Sequence, residues 1–250
     1  MKIFQKGHRP TKCDGMGYYA CLFWGFVLCG AAFAAAQETS SFPLPTVSAV
    51  KTKAKITLDG KLDEQDWKSA TPFKIETTLQ GKKIEPVYSC EVRILWSDDS
   101  LYLAYVAPYE KLTILEPVQK NERIGLWEGD VVEVYIGADP DDISHYTEYE
   151  ISPSNERLDL VLKSGKQDFA WDSKFESAIS LDEENKIWTT EVRIPLSAIS
   201  PTLPEEGTLW KVNFYRLNIT PKVFAAWSPT LSGSAHVPQR FGTLKFKHSQ

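Results

Sequence analysis

The chain has 250 residues and a formal net charge of −5, and its length suits one all-β domain behind an export signal. Residues 1–36 contain four basic side chains and one acidic side chain, which leaves 24 basic against 32 acidic residues in the remainder. This acidic balance argues against nucleic acids and anionic membranes as partners, because both attract basic patches.

The amino-terminal segment has the three parts of a secretory signal. Four basic residues lead into the apolar run Tyr18–Phe33, and the small residues Ala34–Ala36 follow it. The run has about sixteen residues, whereas a helix that crosses a bilayer needs roughly twenty. The pattern predicts a signal peptide over residues 1–36, cleaved after about Ala36, and a protein exported to the periplasm or the extracellular space. An uncleaved amino-terminal anchor is the alternative.

Cleavage of that signal would remove three of the four cysteines and leave Cys90. One cysteine cannot form an internal disulfide, so the mature domain must be stabilised by its buried core. The alternating run Cys90–Ile94 is typical of a strand, and it predicts a small core residue at Cys90. With no histidine near it in the sequence, Cys90 is not expected to be a nucleophile.

After a predicted linker over residues 37–49, short alternating segments are separated by turn residues. Asp63–Trp67 is predicted to form one helical turn, and no stretch shows sustained helical periodicity. Strands at this spacing, with 15 prolines and 14 glycines as punctuation, predict a β-sandwich. The predicted strands are Ala54–Leu58, Val87–Trp96, Leu101–Val106, Val131–Ile136, Tyr146–Ile151, Leu158–Leu162, Phe175–Ile179, Ile187–Ile194, Leu209–Leu217 and Gly242–Phe246.

The strand Val131–Ile136 carries unusual polar residues on one of its faces. Successive side chains of a strand point to opposite faces, so Val132, Val134 and Ile136 form an apolar face. Glu133 and Tyr135 point to the other face. A carboxylate and a phenol side by side are better placed to contact a polar ligand than to fill a core.

The tryptophans divide into two groups by their sequence context. Those in alternating or otherwise core-like segments are predicted to be structural, namely Trp67, Trp96, Trp188 and Trp210. Those in predicted loops are available to a ligand, namely Trp127, Trp171 and Trp227.

Seven segments in order resemble family 9 carbohydrate-binding modules and the related DOMON-type β-sandwich domains. They are Ile56–Trp67, Val92–Tyr102, Trp127–Ile136, Glu191–Pro195, Val212–Phe214, Ala226–Ser228 and Phe241–Leu244. The resemblance covers nearly all of residues 50–247. It implies a single antiparallel β-sandwich of the immunoglobulin-like or jelly-roll type, with structural calcium in some members of the family.

Characterised members of that family clamp a terminal sugar between two tryptophans and read its hydroxyls with polar side chains. Trp127 falls on the first of these tryptophans and Glu133 on a hydroxyl-binding glutamate. The second tryptophan falls on Ala235, beside His236, and a hydroxyl-reading arginine falls near Glu150. Half of the clamp is therefore missing and one polar contact has the opposite charge, so the sugar specificity of the family does not carry over.

The resemblance and the alternation of the strands together give the expected site. Glu148, Glu150, Asn213, Tyr215 and Arg93 share the face of Glu133 if the strands align as in the family. The candidate ligand-binding residues are Trp127, Glu133, Tyr135, Glu150, Asn213, Tyr215, Trp227, His236 and Arg93.

No metal ligands are assigned from the sequence. Two acidic loops, Asp98–Asp99 and Asp139–Asp142, lack the spacing of a dedicated calcium loop and are interpreted as solvated turns. Structural calcium therefore stays open.

We predict an exported, non-catalytic domain that binds an oligosaccharide or polysaccharide and is associated with carbohydrate catabolism. The bound part of the saccharide is either a chain end or an internal unit. An envelope domain with a protein partner and a degenerate sugar site is the first alternative. A glycoside hydrolase is disfavoured because no pair of catalytic carboxylates is readable. Haem is not expected, because Met1 and Met16 lie in the signal, although axial histidine or lysine ligands stay open.

Overall fold

The computed structural model describes residues 42–120 and 122–248. The predicted signal peptide lies outside these residues. Within them, no helix is long and apolar enough to span a bilayer.

The described chain is almost entirely β-structure. It contains one helical turn, α1 (Leu196–Ile199), and short 3-10 turns that include Gln65–Lys68 and Leu126–Glu128. The strands are β1 (Thr46–Lys51), β2 (Phe73–Ile75), β3 (Thr77–Thr78), β4 (Cys90–Trp96), β5 (Ser100–Pro108), β6 (Val131–Gly137), β7 (His145–Ile151), β8 (Arg157–Lys163), β9 (Lys166–Asp168), β10 (Glu176–Asp182), β11 (Ile187–Pro195), β12 (Leu209–Asn218), β13 (Val223–Ala226) and β14 (Gly242–Lys247).

The strands form one continuous sheet that folds over onto itself. Its order is β10-β11-β5-β4-β1-β14-β12-β6-β7-β8-β9, and the pairing is antiparallel except that β1 runs parallel to both β4 and β14. The main core joins side chains from both ends of this order, for example Val92 and Leu103 with Val134 and Phe214. The predicted β-sandwich is confirmed. We call β10, β11, β5 and β4 the β5 half, and β12, β6, β7, β8 and β9 the β6 half.

Two predicted boundaries at the start of the domain are wrong. The linker was expected to extend to residue 49, but β1 begins at Thr46, with Val47 opposite Leu244 and Val50 opposite Leu95. The prolines before β1 obscure the strand in the sequence, and its pairing partners lie far along the chain. The predicted strand Ala54–Leu58 is a loop that buries Ile56 in a small cluster.

Each half of the sandwich is covered on its outer face as well. On the β5 half, a small cluster packs Trp67 and Ile56 over Leu95 and Tyr102. On the β6 half, a second cluster gathers aromatic and aliphatic side chains around Tyr135. The predicted core positions Cys90, Trp67, Trp96, Trp188 and Trp210 are all buried.

Candidate functional site

The outer face of the β6 half brings three carboxyl groups together. In the antiparallel register, Glu133 on β6 lies opposite Glu150 on β7 and opposite Tyr215 on β12. Tyr135, two residues further along β6, lies opposite Glu148. Directly opposed residues of a sheet have their Cβ atoms about 4.5–5.5 Å apart, so these side chains form one surface.

A short turn before β6 presents Trp127 beside this surface. Gly125 has a φ of 87°, a left-handed conformation that favours glycine, and it starts the turn Leu126–Glu128. The Leu126 side chain is buried beneath the turn, while Trp127 is 38% exposed. Asp130 fixes the far end, because its Oδ1 accepts a hydrogen bond from the Ile219 N–H at 2.8 Å. The turn is therefore anchored at both ends, and the Trp127 indole is open to solvent.

These elements surround a cavity of about 300 Å³, at the lower end of the usual range for small-ligand pockets. Its walls combine aromatic, aliphatic and carboxyl groups, and among its lining residues there is no lysine or arginine. The lining residues are Leu79, Trp127, Glu133, Tyr135, Glu148, Glu150, Gln167, Tyr215, Leu217, Phe224, Gly233, Ala235 and His236. A larger cleft of about 620 Å³ beside β1 and β2 contains no comparable group of buried carboxylates.

The three glutamates of the cavity are buried, and two of them have carboxyl oxygens without a hydrogen-bond donor among the described residues. Glu133, Glu148 and Glu150 are 2%, 3% and 1% exposed. Both carboxyl oxygens of Glu150, and Oε2 of Glu148, receive no hydrogen bond from the described residues. Burial raises the pKa of all three, to about 7 for Glu148, and the charge of Glu148 further raises the pKa of Glu133. A buried carboxyl group without a donor is a group that a ligand can satisfy.

His236 closes one side of the cavity. Its ring stacks on Tyr135 with the ring centroids 5.3 Å apart, and its Nδ1 lies 3.0 Å from the Tyr146 hydroxyl oxygen. The same nitrogen is 3.9 Å from Oε2 of Glu148. Burial lowers the pKa of His236, which favours the neutral imidazole.

Six of the nine candidate residues line the cavity: Trp127, Glu133, Tyr135, Glu150, Tyr215 and His236. Ligand contact by these residues stays a prediction.

The other three candidates are elsewhere. Asn213 lies on the expected face but is fully buried, where its Nδ2 donates to the Tyr215 hydroxyl at 2.7 Å and to the Ser228 carbonyl at 2.8 Å. Trp227 is half-buried and packs against the main core, with its ring centroid 5.2 Å from that of Phe73. It lies in a loop directly after β13, as predicted, but it does not line the cavity, because its ring packs inward against Phe73 and Phe214.

Arg93 does not share the face of Glu133. It lies on β4, in the other half of the sandwich, where its guanidinium pairs with Glu91 at 2.8 Å and donates to the Trp67 carbonyl. The alternation of β4 gave the correct direction for the side chain, but the assignment to a common surface was wrong.

Besides Gly233, four lining residues were not predicted from the sequence: Leu79, Gln167, Leu217 and Phe224. Leu217 follows Tyr215 by two positions on β12 and could have been found from the alternation. The other three come from β9, β13 and the loop after β3, and no local pattern places them beside β6.

A separate acidic group could hold a metal ion. Among the described residues, Glu122, Asp159 and Asp172 each place a carboxylate oxygen within 4.8 Å of the others. Asp159 is fully buried; its Oδ2 accepts from the Ser173 N–H at 2.8 Å, and its Oδ1 receives no hydrogen bond from the part of the chain that the structure describes. Three carboxylates with a free buried oxygen fit the oxygen ligation that calcium requires.

The two acidic loops noted in the sequence use their carboxylates in turns. Oδ1 of Asp139 accepts the Asp141 N–H at 2.9 Å, and Oδ1 of Asp142 accepts the Ser144 hydroxyl at 2.6 Å. Asp98 pairs with Lys51. Their interpretation as turns agrees with these contacts.

A β-sandwich with an aromatic, carboxyl-lined cavity on one outer sheet face has the architecture of a carbohydrate-binding module. The chain belongs to the carbohydrate family 9 binding domain-like family, whose profile matches residues 58–249.

Relatives and solved structures agree with this assignment. An extracellular protein of Arthroderma benhamiae is 26% identical over 200 residues, which span 72% of this chain and 86% of the relative. Endo-1,4-beta-xylanase A of Thermotoga neapolitana is 24% identical over 75% of this chain, but the match covers only 17% of the xylanase.

The similar structures show the fold. A candidate carbohydrate-binding protein from Bacteroides uniformis has a TM-score of 0.66 at 20% identity, over 82% of this chain and 100% of that chain. A family 9 module from Caldicellulosiruptor kristjanssonii in complex with glucose has a TM-score of 0.59 at 16% identity, over 82% of this chain and 97% of that one. A complex of a family 9 module from the same organism with cellotriose gives 0.59 at 15% identity, over 82% and 95%.

Proposed function

We propose that this protein is a non-catalytic carbohydrate-binding domain that holds one sugar unit of a saccharide in the cavity of the β6 half. One observation carries the proposal: an exposed indole, Trp127, stands beside the buried carboxyl group of Glu150, which receives no hydrogen bond from the described residues. The C–H face of a pyranose can pack on the indole, while its hydroxyls donate to carboxylate oxygens. The glucose and cellotriose complexes of family 9 modules support this function, but they do not identify the sugar that this protein binds.

The arrangement of the acids favours binding over hydrolysis. A glycosidase places its two carboxyl groups so that they flank the scissile bond. Glu133, Glu148 and Glu150 all rise from the same face of neighbouring strands, so they approach a ligand from one side. The xylanase activity of relatives belongs to proteins of which this chain matches about a sixth.

The proposal includes export, in the periplasm or outside the cell, and a role in carbohydrate catabolism. Export rests on the sequence of residues 1–36 alone. The mass of the protein recovered from the producing cell tests it, because cleavage after about Ala36 removes those residues, whereas retention of the full mass contradicts the cleaved signal.

The function is tested by titrating the folded domain with mono- and oligosaccharides while following tryptophan fluorescence. We expect a saturable change that Trp127→Ala weakens about tenfold or more, because burying an aromatic side chain against a ligand contributes about 1.5–3 kcal/mol. Trp171→Phe is the matched control, since Trp171 lies in another loop and packs against Tyr149 outside the cavity. A folded protein that responds to no sugar would favour the alternative, an envelope domain with a protein partner.

We also propose that Glu122, Asp159 and Asp172 bind calcium as a structural ion. Binding to the folded state would raise the melting temperature in calcium relative to a chelator. Asp159→Asn should abolish this difference in melting temperature. Asp141→Asn should retain it, because Asp141 lies in an exposed turn where its N–H donates to Asp139. Equal melting temperatures of the wild type in calcium and chelator would rule out the ion at this position.

A further inference from the structure

The cavity contains three buried carboxyl groups, and its lining has no lysine or arginine to pair with them. Its titratable lining residues are three glutamates, two tyrosines and His236. Burial lowers the pKa of His236, which favours the neutral form of its imidazole. Buried carboxyl groups in proteins are normally paired with a cation or fully hydrogen-bonded.

The same chain shows what a satisfied buried carboxylate looks like. Glu156 is 2% exposed, and its Oε1 lies 3.0 Å from the Arg123 guanidinium and 2.8 Å from the Gln119 N–H. Glu150 is as deeply buried but has no donor at either oxygen among the described residues. The missing partner of Glu150 and Glu148 is therefore expected to come with the ligand.

The ligand that fits is larger than a bare ion. The described residues that bring three carboxylate oxygens within 4.8 Å of one another are Glu122, Asp159 and Asp172, outside the cavity. The cavity glutamates are spread along two strands around about 300 Å³, between the Trp127 ring and the stacked Tyr135 and His236 rings. A ring-shaped ligand with an apolar face and several polar substituents uses all of these walls.

We propose that the cavity selects a sugar that carries a protonated primary amine, such as a glucosamine unit, over a neutral sugar of the same shape. The ammonium donates to Glu148 and Glu150, a neighbouring hydroxyl donates to Glu133, and the ring packs on Trp127. This inference rests on the proposed function and names its substrate class. Hydrogen bonds to a charged group contribute about 1.5–3 kcal/mol, so the preference is about tenfold or more.

Three matched ligands test the selection by calorimetry at neutral pH. They are β-1,4-linked oligomers of glucosamine, of N-acetylglucosamine and of glucose, all of equal length. We expect the glucosamine oligomer to bind about tenfold or more tightly than either neutral oligomer. Glu150→Gln should reduce this ratio by about tenfold, whereas Glu184→Gln, which removes the same charge from an exposed turn, should preserve it. A circular dichroism spectrum equal to that of the wild type checks the fold of each variant.

The outcomes separate the inference from the proposed function. Equal or tighter binding of the glucose oligomer overturns the selection for an amine but leaves a carbohydrate-binding domain. Binding of putrescine as tightly as the glucosamine oligomer overturns the requirement for a sugar ring. Binding of none of the oligomers by the folded wild-type protein overturns both.

Discussion

Each outer face of the sandwich contains a buried glutamate, and the two faces differ in the number of hydrogen bonds that this glutamate accepts. On the β5 half, Glu191 is fully buried and accepts three hydrogen bonds, from the N–H groups of Asp59 and Gly60 at 3.0 and 2.9 Å and from the Trp67 indole at 3.1 Å. On the β6 half, Glu150 is buried to the same degree and accepts none from the described residues. Burial alone therefore does not distinguish a structural acid from a ligand-binding one; the supply of donors does.

The difference follows from what covers each face. The segment before β2 lies across β11 and turns its backbone N–H groups toward Glu191 at the Asp59–Gly60 turn. A side chain at Gly60, whose φ is 79°, would meet the backbone of Ile179 at 2.5 Å, so only glycine allows this close approach. Over β6 and β7, short loops supply aromatic and aliphatic walls instead, and a cavity stays open above the carboxyl groups.

The largest expected effect tests Glu191, the buried glutamate that accepts three hydrogen bonds from the protein. Glu191→Ala should lower the free energy of unfolding by roughly 3 kcal/mol or more, because three donors lose their acceptor and each costs about 1–3 kcal/mol. Urea denaturation measures the change. Glu184→Ala, on the exposed turn between β10 and β11, should stay within about 0.5 kcal/mol of the wild type. A loss below about 1 kcal/mol for Glu191→Ala would show that the three contacts do not hold the covering segment.

A smaller effect tests the cavity. Burial raises the pKa of Glu148 to about 7 and that of Glu133 and Glu150 well above the usual glutamate value. Above the usual pKa of about 4.3, the folded state then binds more protons than the unfolded state, and stability falls as pH rises. The ligand-free protein should therefore lose stability between about pH 5 and about pH 8.

Substitution of one cavity acid checks the source of this loss. The pKa values of Glu191 and Glu122 are also raised to about 7, so both residues contribute to the pH dependence of stability in the wild type. The wild type is therefore compared with a variant at one cavity residue. Glu150→Gln should reduce the loss of stability over this range by about 1 kcal/mol. The facing groups Tyr135 and Tyr215 have pKa values raised well above 10 and do not interfere. Identical profiles for wild type and variant would mean that Glu150 titrates as an exposed glutamate.

Alternation along individual strands was a reliable guide to which way side chains point. It placed Val132, Val134 and Ile136 in the core and Glu133 and Tyr135 on the opposite face, as the structure has them. The reason is local: an extended backbone sends successive side chains to opposite sides whatever its neighbours are. The sandwich was identified in another way, from the resemblance of seven ordered segments to family 9 modules, and one of these segments places Trp127 directly before β6.

Which faces meet was decided only by the tertiary structure. Arg93 and Glu150 both point outward from their strands, yet β4 and β7 lie in different halves of the sandwich. Trp127 and Trp227 both lie between strands, but Trp127 is exposed beside the cavity and Trp227 is half-buried against the core. Strand β1 pairs with β14, about two hundred residues away in the chain. Local periodicity carries no information on strand order, loop packing or donor supply, because each depends on backbone brought together from distant parts of the sequence.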